Sequence, residues 1–184
     1  MRETILSAKN LTKRYANVTA VEGINMELKQ GEIYGLVGKN GAGKTTFLRL
    51  VTGQTYETDG EISLFGANTK GALNQQRRRI GAIIEMPSFF PYLTAEQNLE
   101  YYRIQRGIPG QKCVSEVLNE VGLANTGNKK YRSFSLGMKQ RLGLALALMN
   151  KPELLLLDEP INGLDPFGIV ELRNLLLKLN REKN

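Results

Sequence analysis

The 184-residue sequence predicts an α/β fold with a parallel sheet, and three observations support this class. An apolar segment, Glu32–Val37, leads into a glycine-rich loop and a helical segment from about Lys44 to Thr52. Four consecutive leucines, Leu154–Leu157, end in two acids, which is typical of a strand buried on both faces of a parallel sheet. Elsewhere, short strand patterns alternate with helical ones.

The remaining elements follow from periodicity and from glycine and proline punctuation. Further strands are predicted at Thr4–Leu11, Gly23–Leu28, Glu61–Phe65 and Arg79–Glu85. The segment Thr94–Met149 is helical in pattern, and Thr94 with Gln97 forms a capping box at its start. The last helix, near Phe167–Leu179, carries leucines at 172, 175, 176 and 179, the spacing of one helix face. The block from about Pro87 to Asn150 is interpreted as a helical insertion.

Composition limits the function classes. The length suits one domain, and Leu142–Met149 is the longest apolar run, too short to span a membrane. Met1–Lys13 lacks the apolar core of a signal peptide, so we expect a cytoplasmic protein. The sequence has no histidine and a single cysteine, Cys113, which excludes histidine metal sites and an internal disulfide. The net charge of +7 is interpreted as a solvated surface plus a site for a polyanion, and no nucleic-acid motif accompanies it.

The loop before the first long helix carries the strongest motif. Residues Gly38 to Thr45 fit G-x-x-x-x-G-K-[ST], between an apolar segment and a helix, which is the context that a P-loop requires. The glycines let successive N–H groups face one phosphate, and the helix N-terminus adds partial positive charge. Lys44 would contact the β- and γ-phosphates and Thr45 would ligate Mg²⁺. The predicted nucleotide-binding set of this loop is Gly38, Lys39, Asn40, Gly41, Ala42, Gly43, Lys44, Thr45 and Thr46.

The leucine strand delivers two carboxylates at its C-terminal end, where α/β sheets bind their ligands. Asp158 would hold Mg²⁺ through water, and Glu159 would orient and deprotonate the attacking water. Together with the P-loop, this arrangement predicts ATP and Mg²⁺ as ligands.

The segment Phe134–Arg141 lies between these two motifs and resembles the signature loop of the ATP-binding-cassette (ABC) family. From about Leu6 to Asp165 the chain is similar to a nucleotide-binding domain of that family. The resemblance implies a RecA-like core with an N-terminal antiparallel β subdomain (1–86 and 151–184) and a helical subdomain (87–150). It also implies a head-to-tail dimer in which the signature residues Ser135, Leu136, Gly137 and Met138 reach the ATP held by a second subunit. Independently, Ser135 is a good N-cap at the start of a helix, which is a second anion-binding feature.

Two further positions match this family. Tyr15 lies where the family places an aromatic side chain that stacks on adenine, and Asn162–Asp165 resembles the D-loop, so Asp165 is a candidate link between the two nucleotide sites. Gly163 would supply the turn, and Pro166 would start the last helix.

The sequence departs from the family pattern at several positions. Glu85 replaces the Q-loop glutamine, which resembles the branch of exporters that give immunity to lantibiotic and bacitracin-type peptide antibiotics; as an acceptor-only group it is a candidate metal ligand and catalytic residue. Leu136 and Met138 replace a signature glycine and glutamine. The family's switch histidine has no counterpart. We therefore expect the domain to be C-terminally incomplete, or completed by another chain, and to bind ATP but hydrolyse it slowly.

The resulting functional hypothesis is an ATPase subunit of a peptide-antibiotic exporter, peripheral on the inner face of the cell membrane. The aromatic segment Met86–Tyr102 would dock a transmembrane permease subunit, with its aromatics contributing either to that surface or to the core. This hypothesis expects no nucleic-acid partner. The alternatives are a soluble ABC-type protein acting on ribosomes or nucleic acid, and a P-loop kinase.

Overall fold

The computed structural model describes residues 2–85 and 87–182. These residues form two compact units. The first unit holds the chain up to Ile80 together with the residues from Leu179 onward, and the second unit is Gly81–Lys178. These boundaries differ from the subdomain boundaries proposed above, and the assignment of a core and a helical subdomain stays a prediction.

The first unit is built on a three-stranded antiparallel sheet. Its strands are β1 (Thr4–Tyr15), β2 (Val18–Lys29) and β3 (Asp59–Leu64), in the order β2-β1-β3. The helices α1 (Lys44–Thr52) and α2 (Lys70–Gln76) belong to the same unit, and a 3₁₀ turn follows at Arg77–Arg79. The buried core side chains of the unit include Leu6, Leu11 and Leu64 of the strands, Leu50 and Val51 of α1, and Leu73 of α2. The strands predicted at Thr4–Leu11, Gly23–Leu28 and Glu61–Phe65 are therefore confirmed, with longer bounds for the first two.

The predicted buried strand Glu32–Val37 is wrong. This segment has no regular secondary structure, and Val37 is 99% exposed and Ile33 63% exposed. A strand forms only when its backbone groups pair with a neighbour, and none of the strands in the described chain pairs with residues 32–37. The apolar pattern was the basis of the prediction, and such a pattern does not show whether another strand is present to pair with this backbone.

The second unit contains two paired strands and four longer helices, except that Ile80 at the start of the first strand and residues 179–182 at the end of the last helix belong to the first unit. The strands are β4 (Ile80–Ile83) and β5 (Leu154–Leu157). The helices are α3 (Ala95–Gln105), α4 (Lys112–Glu120), α5 (Leu136–Leu148) and α6 (Pro166–Glu182), with short 3₁₀ turns at Ala124–Thr126 and Tyr131–Ser133. The capping box is confirmed: the Thr94 hydroxyl accepts from the Gln97 amide, and the Gln97 side chain accepts from the Thr94 amide.

Helix α5 is the central element of this unit. Every residue from Leu142 to Met149 is buried, so the helix is covered on all sides after its first turn and a half. Strand β4 lies against it closely, because a Cβ atom on Gly81 would lie 2.3 Å from the carbonyl oxygen of Ala147. The packing of the unit therefore fixes the position of the helix that follows Ser135.

The expectation that β5 is buried on both faces is wrong. Leu154 and Leu156 are buried, whereas Leu155 and Leu157 are half-buried. Alternate side chains of a strand point to opposite faces, so one face of β5 is packed more completely than the other. Four successive leucines fit either case, which is why the sequence alone did not distinguish them.

None of the helices in residues 2–85 and 87–182 combines the length and the apolar character that a membrane crossing requires.

Candidate nucleotide-binding site

The glycine-rich loop has the backbone geometry of an anion-binding loop. Gly41 and Gly43 have φ angles of 82° and 85°, in the left-handed region that glycine adopts without a steric penalty. Helix α1 begins immediately afterwards at Lys44, and the Phe47 amide donates to the Gly43 carbonyl at 2.8 Å. No acidic side chain lies in the first turn of α1, so the partial positive charge of this helix end is not neutralised from within the turn.

Gly43 is also fixed by packing. A Cβ atom at this position would lie 2.1 Å from the carbonyl oxygen of Ala20 and 3.1 Å from the Val21 side chain. The end of the loop is therefore in close contact with strand β2, and any side chain at residue 43 would displace it.

The ammonium group of Lys44 lies across the loop. Its Nζ atom donates to the carbonyl oxygens of Gly38 at 2.9 Å and Lys39 at 3.0 Å. A cation held in this way, next to a helix N-terminus, suits the binding of a phosphate chain. Lys44 and Thr45 are half-buried, while Gly38 to Ala42 are exposed, so the loop is open to solvent on the side away from β2.

Tyr15 lies in the same unit, at the end of β1. It pairs with Val18 across a two-residue turn, and Ala20 and Val21 of the same hairpin contact the phosphate loop at Gly43. Tyr15 is 44% exposed, and its hydroxyl lies 3.4 Å from Thr55 Oγ1. The Nζ atom of Lys13 is 4.8 Å from the centre of the ring. An exposed ring on the hairpin that supports the loop fits the predicted adenine contact, which stays a prediction.

The two predicted acids follow β5 in the second unit. The Asp158 amide donates to the Ile83 carbonyl of β4 at 2.8 Å. The backbone pairing between β4 and β5 therefore continues one residue past Leu157, the end of β5. Glu159 has a φ of 43°, a conformation that is uncommon outside glycine and is frequent at functional sites. Asp158 is half-buried and Glu159 is exposed. Glu85 is exposed two residues after the end of β4, the strand that pairs with β5.

The residues after Glu159 form a tight turn. The Asn162 amide donates to the Glu159 carbonyl at 3.0 Å, and the Asn162 side-chain Nδ2 lies 3.3 Å from the carboxylate oxygen Oε2 of Glu159. The sequence analysis named Asn162 only as part of a loop and missed this contact. An asparagine three residues after an acid, with proline between them, was the available signal.

Ser135 caps α5 as predicted. Its hydroxyl oxygen accepts from the Met138 amide at 3.3 Å, and its own backbone is extended. Ser135 and Leu136 are exposed, while Gly137 and Met138 are half-buried, so the start of the helix is open to a ligand or partner. Met138 replaces the family's glutamine. Its backbone amide donates to the Ser135 hydroxyl, and its sulfur atom lies 3.6 Å from Lys129 Nζ.

The first turns of α5 contact the segment after β5. Gln140 Nε2 donates to the Asn162 carbonyl at 3.2 Å, and a Cβ atom on Gly163 would lie 2.8 Å from the Leu136 side chain. Arg141 forms an ion pair with Glu171 of α6 at 2.5 Å. The structure therefore brings the predicted signature residues, Glu159 and the predicted D-loop together in one unit.

Asp165 has a structural role that the sequence analysis did not assign. Its carboxylate accepts from the Gly168 amide at 2.7 Å, which makes it the N-cap of α6, with Pro166 in the first helical position as predicted. The predicted contact across a dimer is a separate role for the same residue and stays a prediction.

The aromatic segment before α3 is part core and part surface. Phe89 is 7% exposed and packs against Tyr102 and Tyr131 at centroid distances of 5.7 and 5.2 Å, so it belongs to the core and not to a docking surface. Phe90 and Tyr92 are exposed at 42% and 69%. Met86, the first residue of the predicted docking segment, lies outside the described residues.

A buried asparagine organises this segment. Asn98 is fully buried, accepts from the Phe90 amide at 2.7 Å, and donates to the carbonyl oxygens of Phe90 and Thr94. The sequence analysis did not identify it, and no pattern distinguishes it from a surface asparagine. Nearby, burial raises the pKa of the Tyr131 phenol above its ordinary value, and the Tyr102 phenol adds to that effect.

The sequence is similar to those of known ATP-binding proteins of transporters. The sequence profile described as "ABC transporter" matches residues 21–162. The chain is 46% identical to the bacitracin transport ATP-binding protein BcrA of Enterococcus faecalis over 180 residues, which are 98% of this chain and 58% of that protein. It is 40% identical to the lantibiotic transport ATP-binding protein SrtF of Streptococcus pyogenes, covering 97% of this chain and 76% of that protein.

Solved structures match over the same extent. The chain superposes on cbiO1 from Clostridium perfringens, part of the cbiONQ ABC transporter complex, with a TM-score of 0.87 and 28% identity, covering 98% of this chain and 75% of that one. It superposes on the ATP-binding cassette MJ0796, solved as a dimer in a post-hydrolysis state with ADP and Pi, with a TM-score of 0.82 and 29% identity, covering 97% and 84%.

The fold and the glycine-rich loop together define a P-loop nucleotide-binding domain. The chain belongs to the ABC transporter family. The predicted fold class and the predicted resemblance to the bacitracin and lantibiotic branch are confirmed. The chain spans about 58% of the length of the bacitracin-transport relative from E. faecalis.

Proposed function

We propose that this chain binds MgATP and forms the ATPase part of an ABC exporter of peptide antibiotics. The observation that carries the proposal is the loop from Gly38 to Gly43, with two left-handed glycines, the Lys44 ammonium across it and a helix starting immediately behind it. The family membership and the names of the bacitracin and lantibiotic relatives support it.

The triphosphate would occupy the loop. Backbone amides of the loop and of the first turn of α1 would bind phosphate oxygens, and Lys44 would exchange its two carbonyl contacts for contacts to the phosphates. Tyr15 would stack on the base, since an exposed aromatic ring provides a flat face at little conformational cost.

Each side chain proposed as a metal ligand carries the type of donor atom that magnesium prefers. Mg²⁺ prefers hard oxygen ligands and keeps several waters, and the candidates are the Thr45 hydroxyl and the carboxylates of Asp158 and Glu85. When bound, the ion would neutralise charge on the β- and γ-phosphates.

Glu159 is the proposed general base. Its carboxylate is exposed and lies next to Asp158 at the end of β5, so it can accept a proton from a water directed at the γ-phosphorus. Lys44 would stabilise the negative charge that develops on the transferred phosphoryl group.

The partners proposed are a second ATPase domain and a membrane permease. In a head-to-tail dimer, Ser135 and the amides after it would contact the ATP of the other subunit, while Asp165 would lie near the dimer interface. The exposed rings of Phe90, Tyr92 and Tyr101 would form the permease contact, since aromatic residues are enriched in interface cores. A permease partner of this kind would hold the protein at the inner face of the cell membrane.

Glu159→Gln tests the proposal, because it removes the base and keeps the shape of the side chain. We expect the variant to retain ATP affinity and to form ATP-dependent dimers by light scattering, while steady-state hydrolysis falls at least about a hundredfold. Hydrolysis at the unsubstituted rate would place the base elsewhere. Co-purification with a membrane protein supports the exporter, whereas salt-sensitive binding to nucleic acid without such a partner contradicts it.

A further inference from the structure

The side chain of Glu159 and the helix that follows Ser135 are connected by a single residue. Asn162 donates its Nδ2 hydrogen to the Glu159 carboxylate at 3.3 Å, and its main-chain carbonyl accepts from Gln140 Nε2 of α5 at 3.2 Å. Its amide also donates to the Glu159 carbonyl at 3.0 Å. All these residues belong to the second unit.

The backbone of Glu159 makes this support necessary. A φ of 43° is unfavourable for a residue with a side chain, by about 1–3 kcal/mol, and it persists only where surrounding contacts fix it. The turn closed by Asn162 is such a contact. Since Glu159 is exposed, packing alone does not restrict its carboxylate to one rotamer.

Two apolar contacts hold the same turn against α5. A Cβ atom on Gly163 would lie 2.8 Å from the Leu136 side chain, and one on Gly137 would lie 3.7 Å from the Leu164 side chain. Leu136 replaces a glycine of the family's signature loop, so in this chain the contact to the turn is made by a side chain that the usual motif lacks. Helix α5 therefore contacts the turn twice, through the hydrogen bond from Gln140 to Asn162 and through the Leu136 side chain next to Gly163.

We propose that Asn162 is a positioning residue for Glu159, and that Gln140 and Leu136 connect this positioning to the start of α5 in the same subunit. A ligand bound at Ser135 would then restrict the turn as well as the helix, and the carboxylate would be held for proton transfer only when that helix is engaged. This inference rests on the proposed role of Glu159 as general base.

Asn162→Asp is the most informative substitution, because it preserves size and replaces the donating amide group with an acceptor. We expect kcat for ATP hydrolysis to fall about threefold to tenfold, with the KM for ATP and the ATP dissociation constant unchanged within about twofold. Asn162→Ser, which restores a donor, should recover part of the loss. Asn128→Asp, at an exposed position of the same unit, is the matched control and should behave like the unsubstituted protein.

The combination with Glu159→Gln separates positioning from a general structural effect. If Asn162 acts through the Glu159 carboxylate, Asn162→Asp should not reduce hydrolysis further once that carboxylate is absent. Equal proportional losses in both backgrounds, or an unchanged kcat in Asn162→Asp, would overturn the proposal. An unsubstituted protein that neither binds nor hydrolyses ATP would instead overturn the proposed function.

A second measurement does not require hydrolysis. Gln140→Ala should accelerate hydrogen exchange of the amides in residues 159–165, while the buried amides of residues 142–148 exchange as before. Unchanged exchange in 159–165 would show that Gln140 does not restrain the turn, and faster exchange in both segments would show a loss of the helix instead. Either result contradicts the connection to α5.

Discussion

The carbonyl oxygen of Ala20 lies 2.1 Å from the point that a Cβ atom on Gly43 would occupy. Strand β2 and the phosphate loop are thus in contact through a position where only hydrogen fits. The packing of this unit therefore requires the glycine of the motif, independently of its proposed role in phosphate binding.

We predict that Gly43→Ala destabilises the protein by on the order of 3 kcal/mol or more, because the φ of 85° and the clash with Ala20 act together. Gly41→Ala is the control, since Gly41 has a φ of 82° but no atom within 4 Å of its would-be Cβ, and should cost about 1–2 kcal/mol. Chemical denaturation measures both. Equal losses in the two variants would mean that the contact with β2 is unimportant.

A buried asparagine provides the second prediction. Asn98→Ala removes a fully buried side chain and leaves the Phe90 amide without its side-chain partner, while the Phe90 carbonyl still accepts from the Leu93 amide. We expect a loss of about 2–3 kcal/mol in the free energy of unfolding. Asn119→Ala, on the exposed side of α4, should change it by less than about 0.5 kcal/mol. A small effect of Asn98→Ala would indicate that water replaces the amide.

The Tyr131 phenol predicts a pH effect on stability. Burial raises its pKa in the folded protein, so the folded state holds this proton more tightly than the unfolded state. The resulting stabilisation is complete below about pH 10, the unfolded value, and is lost as the pH rises through the folded value. Tyr131→Phe should therefore lose less stability than the unsubstituted protein above about pH 10. The free energy of unfolding of both proteins is measured against pH by chemical denaturation. An equal decrease in the two proteins above about pH 10 would contradict this assignment.

The elements with a local signal could be predicted from the sequence. Helix α1 begins and ends at the predicted residues, the capping box at Thr94 forms both of its bonds, and β5 has the predicted bounds. In each case the information lies within a few neighbouring residues: a glycine before the helix, a threonine three residues before a glutamine, or a run of leucines.

What depends on distant partners could not be predicted in the same way. Residues 32–37 have an apolar pattern but no pairing strand in the described chain, and Phe89 looks like the exposed Phe90 in sequence yet packs against Tyr102 and Tyr131. The contact between Asn162 and Glu159 had a local signal in the proline between them, but the hydrogen bond from Gln140 to Asn162 joins two separate segments and had none.

Among the site residues, too, those with a local sequence signal could be predicted and those defined by contacts between distant segments could not. The loop and Ser135 were found through motifs whose chemistry is local, and the structure gives both the backbone geometry that this chemistry needs. Gln140 and Asn162 lie within segments that the sequence analysis named, but the hydrogen bond between them joins residues 22 positions apart and has no local signal.

The central claim is that the loop with Lys44 binds the phosphates of ATP, and calorimetric titration with MgATP tests it most directly. We predict saturable one-site binding to the unsubstituted chain and a loss of affinity of about a hundredfold in Lys44→Ala, on the order of 3 kcal/mol. Lys9→Ala, which removes one charge from an exposed strand position, should bind as the unsubstituted chain does. Equal affinity in Lys44→Ala and Lys9→Ala would contradict the account.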